Sequence, residues 1–313
     1  MTTLAVDIGG ANTKAAWHDG TTVSLPFEIW RDPDGLVAVL RELGTADAVA
    51  ITMTAELSDA FRSKREGVAF VLDAVEAVFG DARVLTTSSD LISVEAARAR
   101  PWDVAAANWV ATALAVAGEH PDALLIDVGS TTADVIPIAG GRIAASGRND
   151  LERLLAGELV YTGVLRTTLA AIAPRVPVRG DWCPVSSEYF AISADVHLVL
   201  GYLEPDAYDC PTPDGRPATV AFARERIARL VCSDLEQLDE TDVDAIAAFL
   251  HGEQLQQIED AARRSPAEAP VVAVGSGAFL AREVAARLGR ALADAPVEGP
   301  AAALAALLAK SLC

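Results

Sequence analysis

The sequence predicts an α/β protein made of two related halves. Two segments share one pattern: LAVDIGGANTKAA stands near the start and LLIDVGSTTADVI near the middle. Aligning Asp7 with Asp127 fixes an offset of 120 residues, and the same offset brings the Asp19-Gly20 turn almost onto Gly140-Gly141. Such agreement, which extends from a first strand into a hairpin, indicates an internal repeat. Each copy predicts a strand, a glycine turn, a second strand, a hairpin and a third strand.

Length and composition fit this plan and exclude several classes of protein. The 313 residues suffice for two domains, which we expect over residues 1–120 and 121–313, with the C-terminal helix packing back on the first. A hydrophobic content of 51% excludes a largely disordered chain. The formal net charge of −19 argues against binding to nucleic acid or to an anionic membrane, because both need a basic surface. Small molecules are the expected partners, and a homo-oligomer is left open.

Hydrophobicity and cysteine spacing predict a cytoplasmic protein. The longest apolar stretch without charge, residues 104–118, is too short to span a bilayer and predicts a buried helix. The start, MTTLAVDIGG, lacks the basic and apolar regions of a signal peptide. The four cysteines form no C-x-x-C pair, which is typical of reduced thiols.

Periodicity predicts the remaining elements. Helices are expected over residues 35–43, 67–79, 151–155, 187–200, 224–235, 243–264 and 300–312. A short apolar strand over Ala48–Met53 separates the first two of these helices. Residues 210–219 are rich in Pro and Gly and predict a loop. A buried strand begins at Val271 and leads through a glycine turn into another helix.

Three glycine turns carry the candidate chemistry. The first contains Asp7, Gly9, Gly10, Asn12, Thr13 and Lys14. The second contains Asp127, Gly129, Ser130, Thr131, Thr132 and Asp134, and the third contains Gly275, Ser276 and Gly277. Backbone N–H groups in such turns bind anions, glycine allows close approach, and an aspartate can hold a hydrated divalent cation. A single turn of this kind is usually only a hairpin, whereas three in this order favour a phosphate site.

This order of turns resembles the superfamily of acetate and sugar kinases, Hsp70 and actin. The resemblance implies a duplicated ribonuclease H-like (actin/Hsp70/sugar kinase-like) two-domain fold with a central cleft. In that superfamily the first two turns hold phosphates and a metal ion, and the third lies near the nucleoside. We therefore assign Mg²⁺ to Asp7 and Asp127 and a catalytic role to these two residues and Lys14.

The segments between the turns resemble a narrower group of proteins. ITMTAELSDAFRSKREGV from Ile51, GELVYTGVLRTTLAAI from Gly157, SEYFAISADVHLVLGYL from Ser187 and CPTPDGRPAT are similar to the hydantoinase/oxoprolinase family. They resemble in particular its tetrahydromethanopterin-linked one-carbon-transfer branch. That resemblance implies a transferase of methanofuran-type cofactor biosynthesis. Such an enzyme joins an aminomethylfuran-methyl diphosphate to the phenol of tyramine or γ-glutamyltyramine and releases diphosphate.

Departure of diphosphate is the step of this reaction that needs help, since the furan can delocalise positive charge at its methylene carbon. Mg²⁺ at Asp7 and Asp127, with Lys14 and turn N–H groups, would neutralise the leaving group. A carboxylate would accept the phenol proton. Two alternatives stay open: an ATP-dependent kinase or hydantoinase-like enzyme of the same fold, and a non-catalytic nucleotide-binding regulator. Both need an adenine slot beside Gly275, and ATP binding itself is left open.

A charged segment after an apolar strand supplies further candidates, Glu56, Arg62 and Lys64. It is interpreted either as a solvated turn or as an anion contact in which Arg62 or Lys64 stabilises the departing diphosphate. Arg148 and Arg166 are candidates of the same kind.

A second cluster contains Asp195 and His197, two residues apart, with Glu188 seven residues before Asp195. On one helix Glu188 and Asp195 would share a face, which would suit an acid/base or metal site. The alternative is that these residues are caps or buried polar groups. Tyr161 is a candidate for the wall of a substrate pocket.

Overall fold

The computed structural model describes residues 2–265 and 268–312, and the chain forms two compact units. The first unit is formed by residues 2–123, 136–156 and 294–312. The second unit is formed by residues 124–135 and 157–293.

Strands and helices alternate along most of the chain. The described strands are β1 Thr3–Ile8, β2 Asn12–Trp17, β3 Thr22–Pro26, β4 Ala48–Met53, β5 Ala82–Leu85, β6 Leu91–Ser93, β7 Ala123–Val128, β8 Ala133–Ala139, β9 Arg142–Ile143, β10 Leu159–Val160, β11 Arg175–Val178, β12 Asp181–Pro184, β13 Val271–Val274 and β14 Leu292–Ala293. The described α-helices are α1 Leu36–Glu42, α2 Lys64–Phe79, α3 Val94–Ala99, α4 Pro101–Val104, α5 Asn108–Glu119, α6 Asp150–Ala156, α7 Leu169–Ile172, α8 Ser193–Val199, α9 Val220–Arg229, α10 Glu240–Ala262, α11 Ala278–Arg287 and α12 Pro300–Ser311.

The first unit is built around a six-stranded sheet in the order β3-β2-β1-β4-β5-β6. Strand β1 is antiparallel to β2 and parallel to β4, and β4 is parallel to β5. Every residue of β1 is buried, as expected for a central strand with helices on both faces of its sheet. Helix α12 packs against β1 and α5. Helix α2 places Val71, Leu72 and Val75 in the same hydrophobic cluster as β1 and β4.

The second unit repeats this topology. Its sheet has the order β10-β8-β7-β13-β14. Strand β7 is parallel to β13, and β13 is parallel to β14. The bounds of β1 and β7 differ by the 120 residues that the sequence repeat predicts. The shared strand order confirms the duplicated ribonuclease H-like fold, and the cleft expected between the halves stays a prediction.

Two predicted helices are wrong in their extent. The helix predicted over residues 224–235 is α9, which ends at Arg229, so residues 230–235 lie outside it. The sequence predicts a helix over residues 187–200, but α8 begins only at Ser193 because the preceding segment is extended and Ile192 pairs with Thr168. The carboxylate of Asp195 accepts the Ile192 N–H at 3.0 Å and so fixes the start of α8. Glu188 is exposed and outside the helix, so it shares no helical face with Asp195. Within the described residues, no helix has both the length and the apolar character needed to cross a membrane.

Candidate functional site

The first glycine turn is held by one backbone hydrogen bond. Gly9 N–H donates to Asn12 O at 3.0 Å, closing the turn between β1 and β2. A Cβ added to Gly9 would lie 2.6 Å from the same oxygen, so only glycine fits at this position. The glycine at position 9, interpreted from the sequence as a residue that allows close approach, is therefore required by its contact with Asn12 O.

Polar side chains gather at the end of β1. Asp7 is 8% exposed, and its neighbours in the sheet are Lys14 on β2 and Thr52 on β4. Cross-strand partners of this kind have their Cβ atoms about 5 Å apart on one face. Thr13 and Thr52 are fully buried, and their hydroxyls have no hydrogen-bond partner in residues 2–265 and 268–312. The end of β1 therefore brings the Asp7 carboxylate, the exposed Lys14 and the buried Thr52 hydroxyl to one face of the sheet, whereas Thr13 lies on the other face beside Ile8.

The second turn reproduces the first in the other unit. Gly129 N–H donates to Thr132 O at 2.8 Å, which is the same bond 120 residues later. Asp127 is also 8% exposed. The repeat therefore extends to the hydrogen bonding of the turn and to the burial of its aspartate.

The third turn lies directly against the second. Gly275 has a φ of +90°, and an added Cβ would lie 2.4 Å from Asp127 Oδ1. Gly277 N–H donates to Val128 O at 2.8 Å, immediately before α11 begins. Ser276 is exposed between these two glycines. The turn at Gly275 thus forms part of the surroundings of Asp127, a relationship that no pattern in the sequence predicts.

A loop that sequence reasoning missed also packs on the second turn. Residues 162–167 donate three backbone N–H groups to it: Val164 to Gly129 O at 3.0 Å, and Leu165 and Arg166 to Ser130 O at 3.0 and 2.9 Å. A Cβ on Gly163 would lie 2.5 Å from the Thr131 backbone. The signal in the sequence was the GELVYTGVLRTT segment itself, which has no regular period that would show this contact.

Buried side chains hold the loop of residues 162–167 in place through hydrogen bonds. Gly163 O accepts from Ser193 Oγ and from Gln254 Nε2, each at 2.8 Å, and Gln254 also donates to Thr162 Oγ1 at 2.9 Å. His197 Nδ1 lies 2.8 Å from Val164 O, so that nitrogen carries the proton. The loop is therefore fixed by a buried network of hydrogen bonds.

This network changes the interpretation of Asp195 and His197. Both are fully buried. Asp195 makes an ion pair with Arg226 at 2.7 Å and accepts from Tyr208 Oη at 3.1 Å, while burial raises the pKa of its carboxyl. Burial lowers the pKa of His197 to about 4, which keeps the ring neutral. These contacts fit the alternative of buried structural groups rather than contact with a substrate.

The other candidates from the sequence are Arg62 and Arg148, predicted as anion contacts, and Tyr161, predicted to line a substrate pocket. Tyr161 is 62% exposed, and Arg62 is exposed with its backbone N–H donating to Glu66 Oε2 at 3.2 Å. The Arg148 N–H donates to Glu152 Oε2 at 2.9 Å. No group of three or more His, Cys, Asp or Glu side chains suited to a metal occurs in the part of the chain that the structure describes.

Glu56 is not part of a solvated turn. Its side chain is 1% exposed, and burial raises the pKa of the carboxyl to about 7. The backbone N–H groups of Glu56 and Ala106 lower this pKa, but neither completes a normal hydrogen bond to the carboxylate oxygens. Nearby, Lys64 Nζ pairs with Asp150 Oδ2 at 2.5 Å. The first unit therefore contains a cluster of three titratable side chains, Glu56, Lys64 and Asp150.

The sequence profile of the hydantoinase/oxoprolinase family matches residues 47–312, which is most of the chain. The chain belongs to the hydantoinase/oxoprolinase family. Two relatives in this family are each named (4-{4-[2-(gamma-L-glutamylamino)ethyl]phenoxymethyl}furan-2-yl)methanamine synthase. The protein of Methanocaldococcus jannaschii is 37% identical over 263 residues, covering 82% of this chain and 79% of that protein. The protein of Methanococcus vannielii is 47% identical over 115 residues, covering 37% of this chain and 51% of that protein.

A solved structure is also similar to this member of the hydantoinase/oxoprolinase family. Nucleotide-free acetone carboxylase aligns with 89% of this chain and 49% of its own chain, with a TM-score of 0.48 and 15% identity.

Proposed function

We propose that this protein is a transferase that condenses an aminomethylfuran-methyl diphosphate with a phenol of the tyramine or γ-glutamyltyramine type and releases diphosphate. The observation that carries the proposal is the 37% identity to the Methanocaldococcus jannaschii synthase across 82% of the chain. The name of that relative describes a phenol oxygen joined to a methylene group on furan. Forming such an ether requires a leaving group on the methylene carbon and a phenol that loses its proton.

The first turn has the groups that a departing diphosphate needs. Lys14 is exposed and directly opposite Asp7 in the sheet, so an ammonium and a carboxylate lie side by side at the end of β1. A compact ammonium stabilises charge that develops on a phosphate oxygen. The hydrogen bond from Gly9 to Asn12 O holds this turn in one conformation before a ligand binds.

The second turn is fixed even more firmly. The carbonyl groups of Gly129 and Ser130 accept hydrogen bonds from the loop of residues 162–167, and Gly275 closes the space beside Asp127. A turn that is ordered in advance binds phosphate oxygens with little further loss of conformational freedom. We assign phosphate contacts to this turn and to Ser276, the exposed residue of the third turn.

Mg²⁺ is the proposed cation for Asp7 in the first unit and, by the same chemistry, for Asp127 in the second. Magnesium commonly uses one or two carboxylates of the protein and completes its shell with water and phosphate oxygens. Each carboxylate is mostly buried at the end of a strand, and Thr52 lies beside Asp7 in the sheet, which fits such a donor set. The bound cation would neutralise charge on the leaving diphosphate.

The proposal is tested by incubating the purified protein with the aminomethylfuran-methyl diphosphate, tyramine or γ-glutamyltyramine, and Mg²⁺. Diphosphate release and the aryl ether product are both measured, the second by mass spectrometry. We expect both products with at least one of the two phenols and neither without a phenol. Diphosphate release that is equally fast without a phenol would show hydrolysis instead and would contradict the condensation.

A further inference from the structure

We infer that Glu56 is the base that takes the proton from the phenol hydroxyl of the acceptor. This inference rests on the proposed function and names a group for its proton transfer. In the step, the hydroxyl proton moves to the Glu56 carboxylate while the phenol oxygen forms a bond to the furan methylene carbon. The bond from that carbon to the diphosphate oxygen breaks, and its electron pair leaves with the diphosphate.

The position of Glu56 in the sheet supports this role. Strands β1 and β4 are parallel, with Ile8 beside Met53, and Thr54 N–H donates to Ile8 O at 2.9 Å. Glu56 follows three residues after Met53, so it lies at the same edge of the sheet as Asp7, near the end of β1. In α/β sheets, ligands bind outside the carboxyl ends of parallel strands.

The carboxyl group of Glu56 also lacks the partners that a structural carboxyl would have. Both of its oxygens are buried, and within the described chain neither has a hydrogen-bond partner. Leaving a buried polar group unpaired is unfavourable, which points to a donor that arrives with a ligand. The position is fixed by close packing, because a Cβ added to Gly67 on α2 would lie 2.3 Å from Glu56 O.

Two charged groups face Glu56 from the helices beside it. Lys64 on α2 lowers the pKa of its carboxyl, and Asp150 on α6 raises it. With burial as the largest influence, the resulting pKa of about 7 suits a base at neutral pH. Lys64 and Asp150 are each about one-fifth exposed, whereas Glu56 is not, so an acceptor meets this ion pair before it meets the carboxyl.

The test compares the wild type with Glu56→Gln, which keeps the size of the side chain but cannot accept a proton. The donor is the aminomethylfuran-methyl diphosphate, and the acceptors are tyramine and a fluorinated tyramine whose phenol is already ionised at the assay pH. We expect Glu56→Gln to lower turnover with tyramine by about a hundredfold or more. With the ionised phenol its turnover should approach that of the wild type, because no proton then has to be removed.

The control is Glu42→Gln, which changes an exposed glutamate on α1 and should act like the wild type with both acceptors. Equal losses with both phenols would show that Glu56 supports the fold or the binding of the donor, and would overturn the base assignment. Full activity of Glu56→Gln with tyramine would overturn it as well. If the wild type itself forms no ether, the proposed function fails, and that outcome is distinct from either result on Glu56.

Discussion

Gly275 and Asp127 are so close that any side chain at position 275 would collide with the aspartate. The carboxylate oxygen Oδ1 would lie 2.4 Å from a Cβ at position 275, and the backbone at Gly275 has a φ of +90°. The third glycine turn therefore shapes the space around the aspartate of the second turn. This contact explains why position 275 is glycine, and no nucleoside beside the third turn is needed to explain it.

We predict that Gly275→Ala abolishes most of the activity. The added methyl group would push Asp127 out of position, and the left-handed backbone would add about 1–2 kcal/mol of strain. The matched control is Gly289→Ala, which has a φ of +65° but open space around its Cβ position. Thermal unfolding should show the backbone cost in both variants and a larger loss in Gly275→Ala, because its methyl group would also lie 2.4 Å from Val128 O. Turnover should fall only in Gly275→Ala. Equal turnover in the two variants would contradict the close contact.

Asp7→Ala and Asp127→Ala are each expected to remove nearly all activity and to leave the melting temperature close to that of the wild type. Each carboxylate lies at a strand end rather than inside the apolar core, so its loss opens no large cavity. Asp81→Ala, on an exposed residue, is the control. Activity is measured over a magnesium titration. Wild-type turnover at ordinary magnesium in either variant would exclude the proposed role of these carboxylates in holding Mg²⁺.

Lys14→Met should lower turnover by about a hundredfold, the usual effect of removing one preorganised electrostatic donor. The KM for the phenol should stay the same, because Lys14 is assigned to the leaving diphosphate. Lys14→Arg should restore little, since a planar guanidinium does not replace a compact ammonium beside Asp7. Lys310→Met, which alters an exposed lysine on α12, is the control. A raised KM with unchanged turnover would instead place Lys14 at the acceptor.

The stability of the protein should depend on pH through Glu56. Its pKa is about 7 in the folded protein against an ordinary value of 4.5, so the folded state holds the proton more tightly. The resulting stabilisation is complete below pH 4.5 and is lost as the pH rises through 7, amounting to about 3 kcal/mol. Urea unfolding should show Glu56→Gln gaining stability relative to the wild type across this range. A difference that does not change between pH 4.5 and 7 would show that the pKa of Glu56 is the same in the folded and unfolded states, and would contradict the raised value.

The fold could be predicted from the sequence because the repeat leaves a direct trace. An aspartate and a glycine recur at one offset between apolar residues, and the structure reproduces the turn bond of Gly9 in the bond from Gly129 to Thr132. The support of the second turn could not be predicted. Ser193 and His197 share one face of α8, but Gln254 on α10 and the loop of residues 162–167 join them only through tertiary packing. The burial of Glu56 could not be predicted either. The charged residues around it suggested an exposed side chain, whereas packing against α2 buries it.

The most direct test of the proposed condensation is the ratio of ether formed to diphosphate released by the wild-type protein, measured without ATP. We predict one ether for each diphosphate, with no change in rate when ATP is added. A requirement for ATP with release of ADP, or diphosphate release without ether, would contradict this prediction.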